Sequence, residues 1–128
     1  MKKIIPIFVF AFILNLIWEN LHSVFYDNYM GGKITEFILL RASFWDAIII
    51  VLITLPFIFY YSLRKQNWLI ILAGIVVSIF IEYWGLETGR WAYNSFMPII
   101  PILGVGLTPA IQLGLLGYIS FKIMKYVI

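Results

Sequence analysis

The sequence predicts an all-α fold, a polytopic membrane protein in which four transmembrane helices form a bundle. Hydrophobic residues make up 63% of the 128 residues and charged residues only 12%, and the mean hydropathy is +1.00. A soluble domain of this size has too little interior to bury so much apolar surface. The chain contains no linker and no low-complexity tract, so residues 1–128 are expected to form a single membrane domain.

Four apolar stretches divide the chain, and each has roughly 18–23 residues, enough to cross a hydrocarbon core of about 30 Å. The predicted spans cover about residues 4–26, 42–63, 68–86 and 102–123. Before the first span, Lys2-Lys3 would also suit a secretory signal peptide. Because no small-x-small cleavage site follows and the apolar pattern continues past Trp18, we interpret this stretch as a retained span.

The segments around the spans carry three further predictions. Residues 34–40 are expected to form a short helix at the membrane interface, after a turn at Gly31-Gly32. Pro98 and Pro101 bracket a short segment that we interpret as re-entrant or interfacial. In the last span, a face of small residues that includes Gly114 is expected to allow close helix packing and to offer a contact to a partner subunit.

The basic residues predict the orientation. One end of the four-span arrangement collects six of the nine lysines and arginines, namely Lys2, Lys3, Arg64, Lys65, Lys122 and Lys125. By the positive-inside rule both termini are expected to be cytoplasmic, in a multi-pass protein of the plasma membrane. Since these charges lie at span ends, they report orientation, and no nucleic-acid partner is expected.

A polar stripe interrupts the first span. Asn15, Trp18, Glu19 and His22 are spaced three and four residues apart, so a helix places them on one face. A charged group inside a membrane costs roughly 2.5–3.5 kcal/mol even on the insertion scales that give the lowest cost, so partners are expected on the other spans. In the four-span arrangement every intramembrane ionisable group lies in the outer third, near Trp18, Trp45, Trp84 and Trp91.

These residues predict one pocket that opens toward the outer leaflet. The candidate catalytic residues are Glu19, His22, Asp46 and Glu82. The candidate substrate-binding residues are Asn15, Trp18, Trp84, Arg90, Trp91, Tyr93 and Gln112. No metal site and no cofactor are expected, because the chain has no cysteine and no HExxH or paired-His spacing.

Structural roles are the alternative interpretation of some of these residues. Glu82 or Glu87 would pair with Arg90 and fix the third loop. Asp46, four residues after Ala42, would be a carboxylate at the start of its helix near headgroup water. Tryptophan and tyrosine at span ends are commonly membrane anchors.

The residue types favour acid–base chemistry. No GxSxG, phosphate-binding glycine loop or S-x-x-K motif occurs. A carboxylic acid that is desolvated among aromatic side chains can keep its proton at neutral pH and serve as a general acid. The faces of the surrounding rings can stabilise a developing carbocation. This combination suits protonation of an alkene or epoxide in an isoprenoid chain.

Two short motifs resemble those of known families. Asn15-x-x-Trp18-Glu19 resembles the N-x-x-W-E element of integral-membrane meroterpenoid cyclases, and this resemblance implies that Glu19 is the proton donor that starts cyclisation. Glu82-x6-Gly89-x-Trp91-x-Tyr93 resembles a signature of the carotenoid lycopene-cyclase domain, whose small form works as paired subunits. That family has a proline-acidic pair in the next helix, whereas this chain has Pro109-Ala-Ile-Gln112 without an acid.

Three functions follow as hypotheses. The first is an intramembrane enzyme, cyclase- or isomerase-like, that uses a buried acid on an isoprenoid or lipid and works as a homodimer or with a partner membrane subunit. The second is a small transporter or proton/cation conductor, because intramembrane Glu, Asp and His also serve as relays. The third is a lipid-binding or assembly subunit without activity, in which the polar cluster only fixes helix packing.

Overall fold

The computed structural model describes residues 2–127, and four of its helices are long and apolar enough to cross a membrane. This confirms the predicted all-α bundle of four transmembrane helices. The long helices are α1 (Ile4–His22), α2 (Glu36–Phe59), α4 (Leu69–Glu87) and α5 (Leu107–Val127). The remaining elements are a 3-10 turn (Ser23–Phe25), a one-turn helix, α3 (Tyr61–Arg64), and two short strands, β1 (Tyr26–Tyr29) and β2 (Trp91–Tyr93).

Helix α2 begins earlier than the sequence predicts, and the separate interfacial helix over 34–40 is wrong. The Thr35 hydroxyl accepts a hydrogen bond from the backbone N–H of Ile38 at 3.3 Å, which caps a helix that then continues without a break. Asp46 is therefore about three turns inside α2. The interpretation of Asp46 as a carboxylate at a helix start is wrong for the same reason.

The other helix ends are set by local chemistry. Helix α1 passes through a 3-10 turn at Ser23–Phe25 and gives way to a strand at Tyr26, where the sequence predicted the last residue of a span. Helix α2 ends at Phe59, one turn after Pro56, and the extended Tyr60 separates it from α3. The predicted second span over 42–63 therefore includes a break.

Helix α5 is the centre of the bundle. It packs against α4 most extensively and also contacts α1 and α2, while α2 and α4 touch each other at few positions. Gly74 on α4 faces Gly114 on α5 so closely that a Cβ on either glycine would overlap the backbone of the other helix. The small-residue face of α5 is thus used within the chain. The expectation that it offers a subunit contact is wrong, because α4 already covers it.

The two strands form a small antiparallel sheet that the sequence did not predict. Tyr26 pairs with Tyr93 and Tyr29 pairs with Trp91. The Asn94 side chain donates to the backbone carbonyl of Val24 at 2.6 Å, which ties the end of β2 to the end of α1. The sheet therefore joins the ends of α1 and α4, and we call this end of the bundle the polar end.

The segment before α5 is a closed loop, and it contains no helix within the described part of the chain. The backbone N–H of Leu107 donates to the carbonyl of Pro98 at 2.7 Å, and Ile99 bridges to Gly106. Since α5 starts only at Leu107, the last span begins five residues later than the predicted residue 102. Ile102, at the tip of the loop, is fully exposed.

Candidate functional site

The amide of Gln112 lies at the centre of the site and connects three helices. Its Nε2 atom donates to Asn15 Oδ1 at 2.8 Å, to Glu19 Oε1 at 2.9 Å and to Asp46 Oδ2 at 2.9 Å. A carboxamide has only two N–H groups, so the three acceptors share two hydrogens. Because both carboxyl groups contact one nitrogen atom, their nearest oxygens lie within about 6 Å of each other, a distance at which two negative charges repel strongly.

Asn15 fixes the orientation of this amide from the far side. It is fully buried, and its Nδ2 atom donates to the backbone carbonyl of Ala11 at 2.7 Å, one helical turn earlier. That bond commits the side-chain N–H2 to α1 and leaves Oδ1 to accept from Gln112. Asn15 thereby holds the Gln112 N–H2 group toward the two carboxyl groups.

The Glu19 carboxyl group contacts the imidazole of His22. Glu19 Oε2 lies 3.2 Å from His22 Nε2, and both side chains are largely buried. The other ring nitrogen, Nδ1, is 3.1 Å from the hydroxyl of Thr108 on α5, and this hydroxyl donates to the sulfur of Met97. Because the Thr108 hydroxyl donates to sulfur, its oxygen is free to accept a hydrogen from Nδ1.

Two phenols hold Glu82. The hydroxyls of Tyr26 and Tyr93 both donate to Glu82 Oε1, at 3.0 and 2.6 Å, and the Tyr93 oxygen accepts the backbone N–H of Gly106 at 3.0 Å. Burial raises the pKa of Tyr26 well above its usual range, and the adjacent Glu82 charge adds to the effect. The same two causes raise the pKa of Tyr93. Both phenols therefore stay protonated and remain donors.

A cavity of about 670 Å³ lies between α2 and α4, with α5 behind it. Its polar wall contains Glu19, His22, Asp46, Ser78, Glu82 and Gln112. Its apolar wall contains Ile38, Leu39, Ile49, Ile81 and Leu113. The volume falls within the range of pockets that hold small organic ligands.

Two arginines lie at the rim of the cavity on the polar end. Arg41 donates to the Tyr29 hydroxyl at 3.0 Å, and the Arg90 guanidinium stacks over the Trp84 ring at 4.4 Å from its centroid. Within residues 2–127 the only contact between a carboxyl group and a basic side chain is that of Glu19 and His22. The interpretation that Arg90 pairs with Glu82 or Glu87 is therefore wrong, because the Arg90 guanidinium contacts the Trp84 ring and no carboxylate.

Two buried donors in the cavity wall have no partner among the described residues, the Ser78 hydroxyl and the Trp91 indole N–H. The Trp91 ring packs against Gly85, where any Cβ would overlap the ring, so the position of Trp91 depends on that glycine. Buried polar groups nearly always have partners. The Ser78 hydroxyl is available to a polar group of a bound molecule, whereas the Trp91 N–H lies beside the Glu82 carboxyl group.

The structure brings most of the predicted site residues to this one cavity. Eight line it, namely Glu19, His22, Asp46, Glu82, Trp84, Arg90, Trp91 and Gln112. Asn15 and Tyr93 lie behind the wall and bind residues that line it. Trp18 does not line the cavity and packs against the hydrophobic core. The roles assigned to these residues stay predictions.

Sequence reasoning missed Tyr26, Arg41 and Thr108 as members of the site. Tyr26 and Arg41 lie at the ends of predicted spans, where tyrosine and arginine are common for other reasons. Thr108 and Gln112 share a face of α5, and that spacing was the one available signal for Thr108. Within residues 2–127 no group of three or more His, Cys, Asp or Glu is arranged to hold a metal ion.

The fold and site define a polytopic four-helix membrane protein with an acidic cavity at one end of the bundle. Comparison with protein-family models, with curated proteins and with solved structures finds no match to this chain. Its function is therefore argued from the geometry of the cavity.

Proposed function

We propose that the chain is an intramembrane enzyme, cyclase- or isomerase-like, that protonates an isoprenoid or a similar lipid from a carboxylic acid. The observation that carries the proposal is the Gln112 amide, which holds the carboxyl groups of Glu19 and Asp46 against one cavity in an apolar bundle. Such a pair has one partner that ionises easily and one that keeps its proton.

Asp46 is the better candidate for the proton donor. Glu19 has a basic partner in His22, whereas Asp46 contacts the neutral Gln112 amide and the Glu19 carboxyl and has no basic partner among the described residues. Two nearby carboxylates with a single imidazole carry an excess negative charge, which an apolar environment disfavours. The sequence favoured Glu19 as the acid; the contacts favour Asp46 as the acid and Glu19 with His22 as the charged pair beside it.

The reaction would begin when the Asp46 proton moves to an alkene carbon, forming a C–H bond and a carbocation at the neighbouring carbon. The rings of Trp45 and Trp91 line the cavity and would stabilise this cation through their faces. The cation then loses a proton, directly or after attack by a second alkene of the same chain closes a ring. The Glu19–His22 pair accepts that proton and returns it to Asp46, so the cycle is balanced.

The substrate would enter from the bilayer through the gap between α2 and α4, which contact each other at few positions. Its hydrocarbon chain would lie on the apolar wall formed by Ile38, Ile49 and Ile81. Arg41 and Arg90 at the rim, free of carboxylate partners within the described chain, would hold a polar end group. We further propose a plasma-membrane location, cytoplasmic termini, and a homodimer or a partner membrane subunit.

Deuterium transfer from solvent tests this function without knowledge of the product. The purified chain would be reconstituted in vesicles with a panel of acyclic isoprenoids in D2O, and the lipids analysed by mass spectrometry. Wild type is expected to add deuterium to one of them, because the donor acid exchanges with solvent. Asp46→Asn is expected to lower the rate at least about 100-fold, the low end of what a general acid contributes.

Asp27→Asn is the matched control. It makes the same chemical change in an exposed residue of β1 that does not line the cavity, and its rate is expected to equal that of wild type. Full activity of Asp46→Asn would remove Asp46 from the role. No labelling of any isoprenoid by wild type would overturn the enzymatic proposal itself.

A further inference from the structure

We propose that the opposite end of the bundle contains a second binding site, which takes the phosphate group of an anionic lipid. A pocket of about 230 Å³ is lined there by Lys3, Arg64 and Lys125 together with the apolar side chains of Phe57, Phe121 and Met124. We call this pocket the basic pocket. It belongs to a different end of the chain from the acidic cavity and shares no lining residue with it.

The charges at this end are not balanced by acidic side chains. All six Asp and Glu residues lie at the polar end or in the segments attached to it, and six of the nine basic residues lie at the other end. Three cations gathered around one concave surface repel each other unless an anion lies between them. Charge complementarity therefore identifies an anion as the occupant.

Arg64 is positioned for such a ligand. One guanidinium nitrogen, Nη2, donates to the backbone carbonyl of Ile58 at 2.8 Å, which fixes the side chain. Its Nε atom is buried and has no hydrogen-bond partner within the described chain. A buried donor on a fixed guanidinium is suited to a phosphate oxygen, which accepts charge-assisted hydrogen bonds from arginine.

The apolar half of the pocket favours a lipid over a soluble phosphate compound. Phe57 and Phe121 form an edge-to-face pair with centroids 6.5 Å apart, and Lys125 Nζ lies 5.2 Å from the Phe121 centroid. Cations beside the apolar side chains of a pocket wall match the boundary between a lipid headgroup and its acyl chains. Basic pockets between transmembrane helices bind anionic headgroups in this manner.

Binding of phosphatidylglycerol to the full chain in neutral detergent tests the proposal, with native mass spectrometry and the midpoint of thermal unfolding as measurements. Wild type is expected to bind phosphatidylglycerol and to bind phosphatidylcholine much more weakly. Because each basic residue near a membrane surface contributes about 1 kcal/mol, we expect the R64Q/K125Q variant to bind phosphatidylglycerol at least about 10-fold more weakly. K3Q/K125Q, which keeps the Arg64–Ile58 bond, is expected to lose affinity comparably.

The matched control is K65Q/K122Q, which removes two charges from the same end but none from the pocket lining. In wild type, the ammonium groups of Lys65 and Lys122 lie over the rings of Tyr61 and Tyr118. The affinity of the control is expected to stay within about 3-fold of wild type. An equal loss in this control would show a diffuse surface effect and overturn the site. Equal affinity in wild type and both pocket variants would overturn it as well. Displacement of the lipid by millimolar inorganic phosphate would assign the pocket to a soluble phosphate compound instead.

Discussion

A single neutral side chain holds the carboxyl groups of the acidic cavity together. Gln112 donates to Glu19 and Asp46 but cannot ionise, so it holds the two carboxyl groups at a fixed separation without supplying charge. Gln112→Glu would add a third acid to the same cluster. Gln112→Leu would leave Asn15 and both carboxyl groups without their common donor, at a cost of about 1–3 kcal/mol for each buried group.

The phenols around Glu82 give the protein a pH dependence at the alkaline side. The raised pKa values of Tyr26 and Tyr93, caused first by burial and then by Glu82, mean that the folded state keeps protons that the unfolded chain releases above its ordinary value of 10.0. The unfolded state then binds fewer protons, so stability falls as pH rises. We expect the midpoint of thermal unfolding in detergent to fall above about pH 10.

The Y26F/Y93F variant tests whether the phenols of Tyr26 and Tyr93 cause the loss of stability at alkaline pH. Without ionisable phenols at these positions, it should be less stable than wild type near neutral pH but lose less stability between about pH 9 and pH 11. Tyr126→Phe, a change at a residue that is 90% exposed, serves as the control and should follow wild type. An identical alkaline decline in all three proteins would contradict this account.

At the level of the elements, the contact between α4 and α5 sets the position of the cavity. Gly74 and Gly114 bring the two helix backbones together, and this contact fixes α4, which carries Ser78 and Glu82, against α5, which carries Gln112. A wider separation of these helices would move Glu82 away from the Gln112 cluster.

Substitutions on α5 measure this contact. Gly114→Ala places a Cβ against the backbone carbonyl of Ile71, and we expect a destabilisation of about 1–3 kcal/mol from overpacking. Gly117→Ala, one turn later, meets only side-chain atoms at 3.4 Å and beyond, and its stability should stay close to that of wild type. Denaturant unfolding in mixed micelles would compare the two. A tolerated Gly114→Ala would mean that α4 and α5 adjust freely.

At the level of the whole molecule, the polar groups are separated by depth. In the half of the bundle that contains the basic pocket, the buried polar side chains among the described residues are Thr54 and Ser120, and each donates to a carbonyl of its own helix. They therefore offer no chain of exchangeable groups from one end of the bundle to the other. A proton relay needs such groups through the full thickness.

This separation predicts that the protein does not conduct protons. Vesicles that contain the purified chain should hold an imposed pH gradient as long as empty vesicles do, as measured with an enclosed pH-sensitive dye. Addition of a protonophore is the positive control for collapse of the gradient. Faster collapse with the protein than without it would favour the conductor hypothesis over the enzyme.

Composition and periodicity alone determined that the chain forms four apolar membrane helices, because a bilayer imposes the same length and hydrophobicity on every span. The stripe of Asn15, Glu19 and His22 was likewise readable, since helical spacing is a local property. The helix boundaries were harder to predict, because a cap such as Thr35 and a break such as Tyr60 have weak signals in a uniformly apolar chain.

Tertiary structure alone decided what the polar residues meet. The pairing of Tyr26 with Tyr93 and the meeting of Gln112 with Asp46 join residues 67 and 66 positions apart, and no local pattern specifies such contacts. The close approach of Gly74 and Gly114 decided that the glycine face of α5 packs inside the chain. The sequence identifies the costly polar groups in the membrane, whereas the packing of the helices decides which of them come into contact.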